Sequence, residues 1–495
     1  MMMIGGGSPH TPEVIARAGC RHSGSAAVSD LAARAGVGRA DRLASAGMTL
    51  CLASLIGFAA LQYKLPRDLP SRWGENYAGA RHFQQGLLGR VARPLPIPTF
   101  VVLFRTLLGG AWAGYAIALG SGLAGGVPRR ASKLSAVGAV GIAMALWCPP
   151  SLSEDAYSYV AYGRMKADYS INPYAASPRS LAAFGDETAR ISRSGLASVY
   201  GPVWTQVCVV EAAALRWAGL WGQVVGIKLL GAAALILAAA AGRAVAEHHF
   251  PGRGHLALMA IGFNPLLVIE GPGNGHCDLL MMALVLSAEA LRLRGCPARG
   301  DLALGLAIGI KFLPAALLPW LLLERCRGRA PGDALRASAA ALVLALAPTV
   351  LAFAPLRRDA AIVSAIERRS LWGTNLDDAG LERMSQHFGV DRLPAPASRL
   401  AMLVILQWPV VDLYLLLTVW LRSGLDRSRW LSAWTLLAVG LVTWTMTARY
   451  PWYMAWPLVV SLTRWDPLGI ALSTACLIYS MMTMFNYTSS YSLIY

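Results

Sequence analysis

Residues 222–242 read GQVVGIKLLGAAALILAAAAG. The run holds one charge, Lys228, and no proline. Roughly 20 apolar residues, rising about 1.5 Å each, span the hydrocarbon core of a bilayer. This stretch therefore reads as a membrane-crossing helix, and it decides the fold class. Working outward, 45–63, 99–123, 134–150, 276–291, 335–355, 399–421, 430–447 and 467–486 read the same way. Weaker apolar runs are 199–218, 256–269, 303–323 and 451–463. The expected fold is an all-α, polytopic transmembrane helix bundle with about 10–13 crossings.

Composition agrees. The chain has 495 residues, 56% of them hydrophobic and only 14% charged. A soluble domain carries about 25% charged residues. The net charge of +17 would suggest nucleic acid in a soluble protein. In a membrane protein it is explained by arginine-rich cytoplasmic loops, so no nucleic-acid partner is expected. The eight cysteines form no CxxC pair, and those inside apolar runs read as small core residues. Arginine outnumbers lysine, a compositional hint of a GC-rich bacterial genome.

Residues 1–44 are rich in Gly, Ala and Arg and lack the apolar stretch of a cleavable signal peptide. They are expected to form a loosely ordered cytoplasmic tail. Accessory helices over 45–133 and a catalytic module over 134–495 would follow. Basic clusters place the ends of several segments inside. Alternation works if 199–218 is a shallow hairpin that does not change sides. It also requires 303–323, broken at Lys311 and Pro314, to go up and return as two short helices. Three motif-bearing turns, 151–174, 270–278 and 448–453, then fall together outside. Loop 64–98 falls there too, despite its basic residues. An inverted pair of broken helices would indicate a transporter; the break near Lys311 has no visible partner in the sequence.

The first motif is Pro149-Pro150-Ser151-Leu152-Ser153-Glu154-Asp155-Ala156-Tyr157-Ser158-Tyr159. The prolines end one helix, and Ser153 caps the next. Helical spacing puts Asp155, Tyr159 and Tyr162 on one face. A carboxylate beside aromatic rings at a membrane surface suits a sugar hydroxyl, whose proton it can accept. The same pattern also describes an ordinary interfacial helix with an aromatic belt. Asn172-Pro173-Tyr174 and Tyr200-Gly201-Pro202-Val203-Trp204 follow as turn signals. Asn264-Pro265 and Glu270-Gly271-Pro272-Gly273-Asn274-Gly275-His276-Cys277-Asp278 then interrupt an apolar stretch. Such polar clusters are expensive in membranes and more often functional than not, and a polar loop between two crossings gives the same pattern. Two candidate ligands, His276 and Asp278, are too few to define a metal site. Arg449-Tyr450-Pro451-Trp452-Tyr453 sets an arginine beside aromatics, where it holds a phosphate or snorkels.

In this order, over roughly residues 134–460, the motifs resemble the polyprenyl-phosphate-mannose-dependent α-mannosyltransferases of bacterial envelopes. Those belong to the glycosyltransferase-C superfamily. The resemblance implies a multi-helix bundle with a long first external loop carrying short interfacial helices. It implies a polyprenyl-phosphate-linked sugar donor, commonly of mannose, transfer with inversion, and a glycolipid or glycan acceptor. The essential Asp of the family pattern falls on Asp155, and its His-x-Asp element on His276 and Asp278. Glu154 and Cys277 depart from the residues common in relatives, which leaves donor sugar and acceptor open.

A phosphate leaving group is already a stable anion, so one base suffices and cations need only steady the charge. Asp155 is expected as the base, with Glu154 as substitute. Arg164, Lys311 and Arg449 are phosphate-binding candidates. Tyr159, Tyr162, Tyr200 and Trp452 are candidate walls for sugar or lipid, and Asn274, His276 and Asp278 candidate substrate contacts. No cofactor is expected, with a divalent metal left open. The expected location is a bacterial cytoplasmic membrane, with membrane lipid as surroundings and the site on the non-cytoplasmic face. An envelope polysaccharide ligase or polymerase, and a lipid or sugar transporter or flippase, are the alternatives.

Overall fold

The structure is a computed structural model that describes residues 23–66, 71–89, 92–125, 133–191, 195–326, 328–356 and 451–486. Among these, every regular element is helical. Four helices are long and apolar enough to cross a membrane: Gly38–Lys64, Ile97–Leu123, Arg216–His249 and Pro331–Leu356. The pair Gly254–Gly262 and Pro265–Gly273, bent by 51° where they meet, is a broken span, which makes five, or a re-entrant loop. The chain is thus a polytopic helix bundle. The expected crossings 399–421 and 430–447 lie outside the described residues.

The N-terminal layer pairs α1 (Ser23–Leu61) with α3 (Ile97–Leu123). Helix α1 is described from Ser23 onward, within the stretch expected as a tail. Its small and straight-chain residues favour continuing the helix. The two helices run antiparallel, and glycines let their backbones touch. A Cβ on Gly114 would sit 2.4 Å from the Cys51 amide, and one on Gly47 2.7 Å from the Gly114 carbonyl. Gly110 and Gly114 form the small-xxx-small spacing that drives such packing in lipid.

Helix α2 (Ser71–Leu88) occupies the basic loop after α1. Its Phe83 meets Trp221, ring centroids 6.3 Å apart, and lies beneath Lys228. This places α2 beside the motif-bearing turns. Helix α4 (Leu134–Trp147) then runs to Pro149 and Pro150. Lys228, fully buried in α8 (Gly219–His249), donates to the carbonyls of Met144 and Cys148. The amine satisfies the Cys148 carbonyl, which the ended helix leaves without an amide, and is a second donor to the Met144 carbonyl, which already accepts from the Cys148 amide.

Helix α5 (Asp155–Ala167) and the short α6 (Thr188–Ile191) sit in the loop that follows. Helix α7 (Pro202–Ala214) lies alongside α5 and precedes α8. Gly163 of α5 is packed so closely that a Cβ would meet the Cys208 carbonyl at 2.2 Å. Helices α9 (Gly254–Gly262) and α10 (Pro265–Val268) form the bent pair. Asn264 explains the bend. Its Oδ1 accepts from the amides of Leu266 and Leu267, capping α10, and Pro265 has no amide to offer α9.

Helices α11 (Asp278–Leu293), α12 (Pro297–Ile310), α13 (Leu318–Cys326) and α14 (Pro331–Phe353) complete the central bundle. Near the C-terminus lie α15 (Ala455–Ser461) and α16 (Pro467–Asn486). The chain breaks at Lys311 as expected, and α13 returns beside α12. Arg325 at the end of α13 donates to Asp301 at the start of α12, at 2.7 and 2.9 Å. Arg292 of α11 reaches the same carboxylate at 3.2 Å. The bend at Asn264 is a second break. Both are approached in the same direction, towards the motif-bearing end, so they are not the inverted pair of a transporter.

Candidate active site

Three stretches far apart in sequence converge at one end of the bundle. The first is the start of α5. Ser153 Oγ accepts from the Asp155 amide at 3.1 Å, so the cap fixes where Asp155 emerges. The second is the start of α7. The Gly201 amide donates to the Ile310 carbonyl at 2.9 Å, and a Cβ on Gly201 would meet the Gly309 carbonyl at 2.3 Å. Only glycine allows that approach, which seats Tyr200 between Asp155 and Lys311. The Asn172-Pro173-Tyr174 turn secures it: Tyr174 Oη donates to the Tyr200 carbonyl at 2.8 Å, and Asn172 Nδ2 donates to the Leu356 carbonyl at 3.1 Å.

The third is a π-helical turn, Ile269–Gly273, and the residues after it. Such bulges inside helices recur at functional sites. Gly275 has φ +80°, a conformation that favours glycine, and it swings His276 inward. Asn274 ties the turn to α5's approach. Its Oδ1 accepts from the Leu152 amide at 3.1 Å, and its Nδ2 donates to the Ile269 carbonyl at 3.1 Å and Glu270 Oε2 at 3.4 Å.

Asp155 is the focus. Tyr200 Oη donates to its Oδ2 at 2.8 Å and Tyr159 Oη at 3.4 Å. His276 Nδ1 lies 3.3 Å from the same oxygen. The other imidazole nitrogen, Nε2, lies 3.3 Å from Glu270 Oε2. Both imidazole contacts have ion-pair length without hydrogen-bond alignment. Trp452 stacks on His276, centroids 4.1 Å apart and planes 18° apart. Tyr159 meets Tyr200 and Trp204 edge-on at 4.9 and 5.0 Å. A carboxylate held in one orientation by two hydroxyls and an imidazole has the fixed geometry that a general base needs. Glu154 is buried just before it.

A cationic group adjoins this one across Tyr200. Lys311 Nζ donates to Asp278 Oδ1 at 2.8 Å and lies 4.8, 5.2 and 5.8 Å from the ring centres of Tyr453, Trp456 and Tyr200. Trp456 Nε1 donates to Asp278 Oδ1 at 2.6 Å. Asp278 Oδ2 is buried without a hydrogen-bond partner. An ammonium surrounded by aromatic faces, next to a carboxylate oxygen with no hydrogen-bond partner, has the chemistry to receive an anion together with a hydroxyl.

The structure therefore brings together Asp155, Tyr159, Tyr200, Asn274, His276, Asp278, Lys311 and Trp452, with Glu154 alongside. Two expected residues point elsewhere. Tyr162 Oη donates to the Leu196 carbonyl at 3.1 Å, and only its ring borders Tyr200, 6.5 Å between centroids. Arg164 is not placed to hold a phosphate. Its Nε donates to Gln223 at 2.7 Å and its Nη1 to Asp186 at 3.2 Å, with Glu187 at 3.6 Å. These bonds clasp the 151–198 loop onto α8. Burial raises the Asp186 carboxyl's pKa, but the Thr188 hydroxyl and amide and the Arg164 guanidinium outweigh it, leaving the pKa below the usual carboxylate value. Arg449 lies outside the described residues.

Glu270, Trp456 and Lys228 were not picked as site residues from sequence. The signal for Glu270 was an acid inside an apolar run, directly before Gly271-Pro272. Among the described residues no three His, Cys, Asp or Glu side chains are grouped to hold a metal ion.

Comparison with known proteins places the same residues in a family context. The family described as alpha-(1->6)-mannopyranosyltransferase, N-terminal domain, matches residues 80–327. That span contains Asp155, Tyr200, Glu270, His276, Asp278 and Lys311. Alpha-(1->6)-mannopyranosyltransferase A of Mycobacterium tuberculosis is 28% identical over 335 residues, which cover 63% of this chain and 61% of the relative. The chain thus aligns with less than two thirds of that relative's length. No solved structure matches the chain.

Proposed function

Because this chain belongs to the alpha-(1->6)-mannopyranosyltransferase family, we propose that it transfers mannose from a polyprenyl-phosphate-linked donor to a hydroxyl of an envelope glycolipid or glycan. Asp155 acts as the general base. The observation that carries the reading is the convergence of Tyr200, Tyr159 and His276 on Asp155 Oδ2, beside the Lys311 ammonium.

The chemistry balances without a general acid. The acceptor hydroxyl gives its proton to Asp155, and its oxygen bonds the anomeric carbon. The bond from that carbon to the phosphate oxygen breaks, and its electron pair leaves with polyprenyl phosphate. Attack opposite the leaving group inverts the centre. The name of the mycobacterial relative gives an α-(1→6) linkage, and we take that as the product here. An α product formed with inversion requires a β-linked donor.

Lys311 is the cation that steadies the leaving phosphate, with Arg449 as a second candidate. Asp278 Oδ2 is an acceptor for a donor-sugar hydroxyl. Tyr159, Tyr200 and Trp452 form the aromatic wall on which sugar faces pack. On this reading the site lies on the non-cytoplasmic face of a bacterial cytoplasmic membrane, with apolar helices beside it for the polyprenyl chain.

The test is donor choice by the purified full chain in proteoliposomes. The reading expects labelled mannose to pass from polyprenyl-phosphate mannose, and not from a nucleotide-linked mannose, to a mannan-type lipid acceptor. Transfer from the nucleotide sugar in lipid-free conditions would contradict it.

A further inference from the structure

His276 is held between two carboxylates from separate elements. Asp155 faces Nδ1 from α5, and Glu270 faces Nε2 from the π-helical turn. All three residues are more than nine-tenths buried, with exposures of 7% for Asp155, 2% for Glu270 and 1% for His276. Glu270 Oε1 has no hydrogen-bond partner, and Oε2 faces only Asn274 Nδ2 and the imidazole among the described contacts. Nothing in the proposed transfer chemistry uses Glu270.

The remaining groups around the ring have other commitments. Asp278 and Cys277 follow His276 in the chain; Asp278 is bound by Lys311 and Trp456, and Cys277 faces Tyr159. Tyr200 and Tyr159 bind Asp155. Lys228 is engaged with the Met144 and Cys148 carbonyls. Trp452 covers one ring face and brings no charge.

Both nitrogens of an imidazole donate only when the ring is protonated. A neutral ring would turn a lone pair towards one of the two carboxylates. Carboxylates 3.3 Å from both nitrogens, although not aligned for hydrogen bonds, favour the imidazolium by charge. We propose that Glu270 is a positioning residue for the transfer reaction, acting through His276 to hold a positive ring against Asp155. A cation at that distance keeps Asp155 ionised and able to take the acceptor's proton. Glu270 forms no bond with either substrate. The assignment rests on the mannosyl-transfer reading, but it concerns a residue for which that reading gives no role.

The experiment uses the full chain, labelled with 15N-histidine, in nanodiscs. His276 signals are assigned by His276→Gln. The Glu270→Gln variant keeps the side-chain shape and the Asn274 contact. In Glu270→Gln the His276 titration is expected to move down by about one pKa unit or more, the size of a neighbouring-charge effect. The kcat is expected to fall about tenfold, as that shift converts at about 1.4 kcal/mol per unit. KM for both substrates stays within about twofold, since the lost interaction is not a binding contact. The acid limb of the kcat profile moves to higher pH. Glu270→Asp, which keeps the charge, retains the wild-type limb. In a His276→Gln background Glu270→Gln has no further effect on kcat. An unmoved His276 titration overturns the assignment whatever the transfer assay reads. So does a lowered kcat with an unmoved pH profile, the mark of a merely structural role. Absence of transfer by the wild type overturns the reading beneath it, and is told apart because the titration is measured without substrate.

Discussion

Tyr200 donates its hydroxyl to Asp155 Oδ2 at 2.8 Å, joining the starts of two helices separated by 45 residues of sequence. The same tyrosine ring lies 5.8 Å from the Lys311 ammonium. One side chain thus spans the proposed base and the proposed phosphate site.

Tyr200→Phe tests that bridge. A hydrogen bond to a charged group contributes about 1.5–3 kcal/mol. Lost in the transition state, this lowers kcat by about 10- to 100-fold. The ring still packs on Tyr159, so thermal unfolding stays near wild type. Steady-state rates at saturating donor, beside a melting curve, check this. An unchanged kcat would remove Tyr200 from the mechanism.

Lys311 and Asp278 form a buried pair, with Asp278 the more deeply enclosed. Removing one partner of such a pair costs about 3–5 kcal/mol, because the other charge is left without compensation. Lys311→Met is expected to lower thermal stability markedly. Lys311→Met combined with Asp278→Asn is expected to recover much of that stability while the donor KM stays raised. Recovery of donor affinity along with stability would show that Lys311 is only structural.

Gly201→Ala places a methyl group 2.3 Å from the Gly309 carbonyl, a backbone atom that cannot rotate away. Overpacking of this kind costs about 1–3 kcal/mol. The expected result is a lower melting temperature and a lower kcat together, since Tyr200 moves with the helix start. Differential scanning fluorimetry and a transfer assay measure both. Gly185→Ala, with no atom near its Cβ but a left-handed φ of +69°, serves as a comparison carrying strain alone.

The clasp between Arg164 and Asp186 has a pH signature. The Asp186 carboxyl's folded pKa lies below its unfolded value of about 3.9. Its contribution is therefore fully present above that unfolded value and is lost as pH falls through the lower folded one. Amide exchange over 168–191 is expected to hold from neutral pH to about 4, after correction for intrinsic rates, and to quicken below. Asp186→Asn should give the quicker exchange already at pH 7. Equal protection in both proteins at pH 7 would contradict this.

Much of this architecture was legible before the structure. Apolar length separated membrane helices from loops, because lipid imposes one requirement on every span. Lys311 beside Pro314 marked the break between α12 and α13. The prolines and Ser153 marked the start of α5, and with it Asp155. What periodicity does not carry is which neighbour a face meets. Tyr162 follows Asp155 at helical spacing, yet its hydroxyl reaches Leu196. Arg164 is bound by Asp186 and Gln223, residues brought near by the loop and by α8. Glu270 shares an environment with Asp155 only because the π-helical turn folds back and Gly275 reverses the chain. Those are tertiary facts, and local patterning has no term for them.

The central claim is that Asp155 takes the acceptor's proton. The most direct measurement is mannosyl transfer from polyprenyl-phosphate mannose by the purified full chain, wild type beside Asp155→Asn, each shown folded by its melting curve. The account predicts transfer by the wild type and a loss of at least about 100-fold in the variant, the usual contribution of a general base. Transfer at the wild-type rate by a folded Asp155→Asn would contradict it.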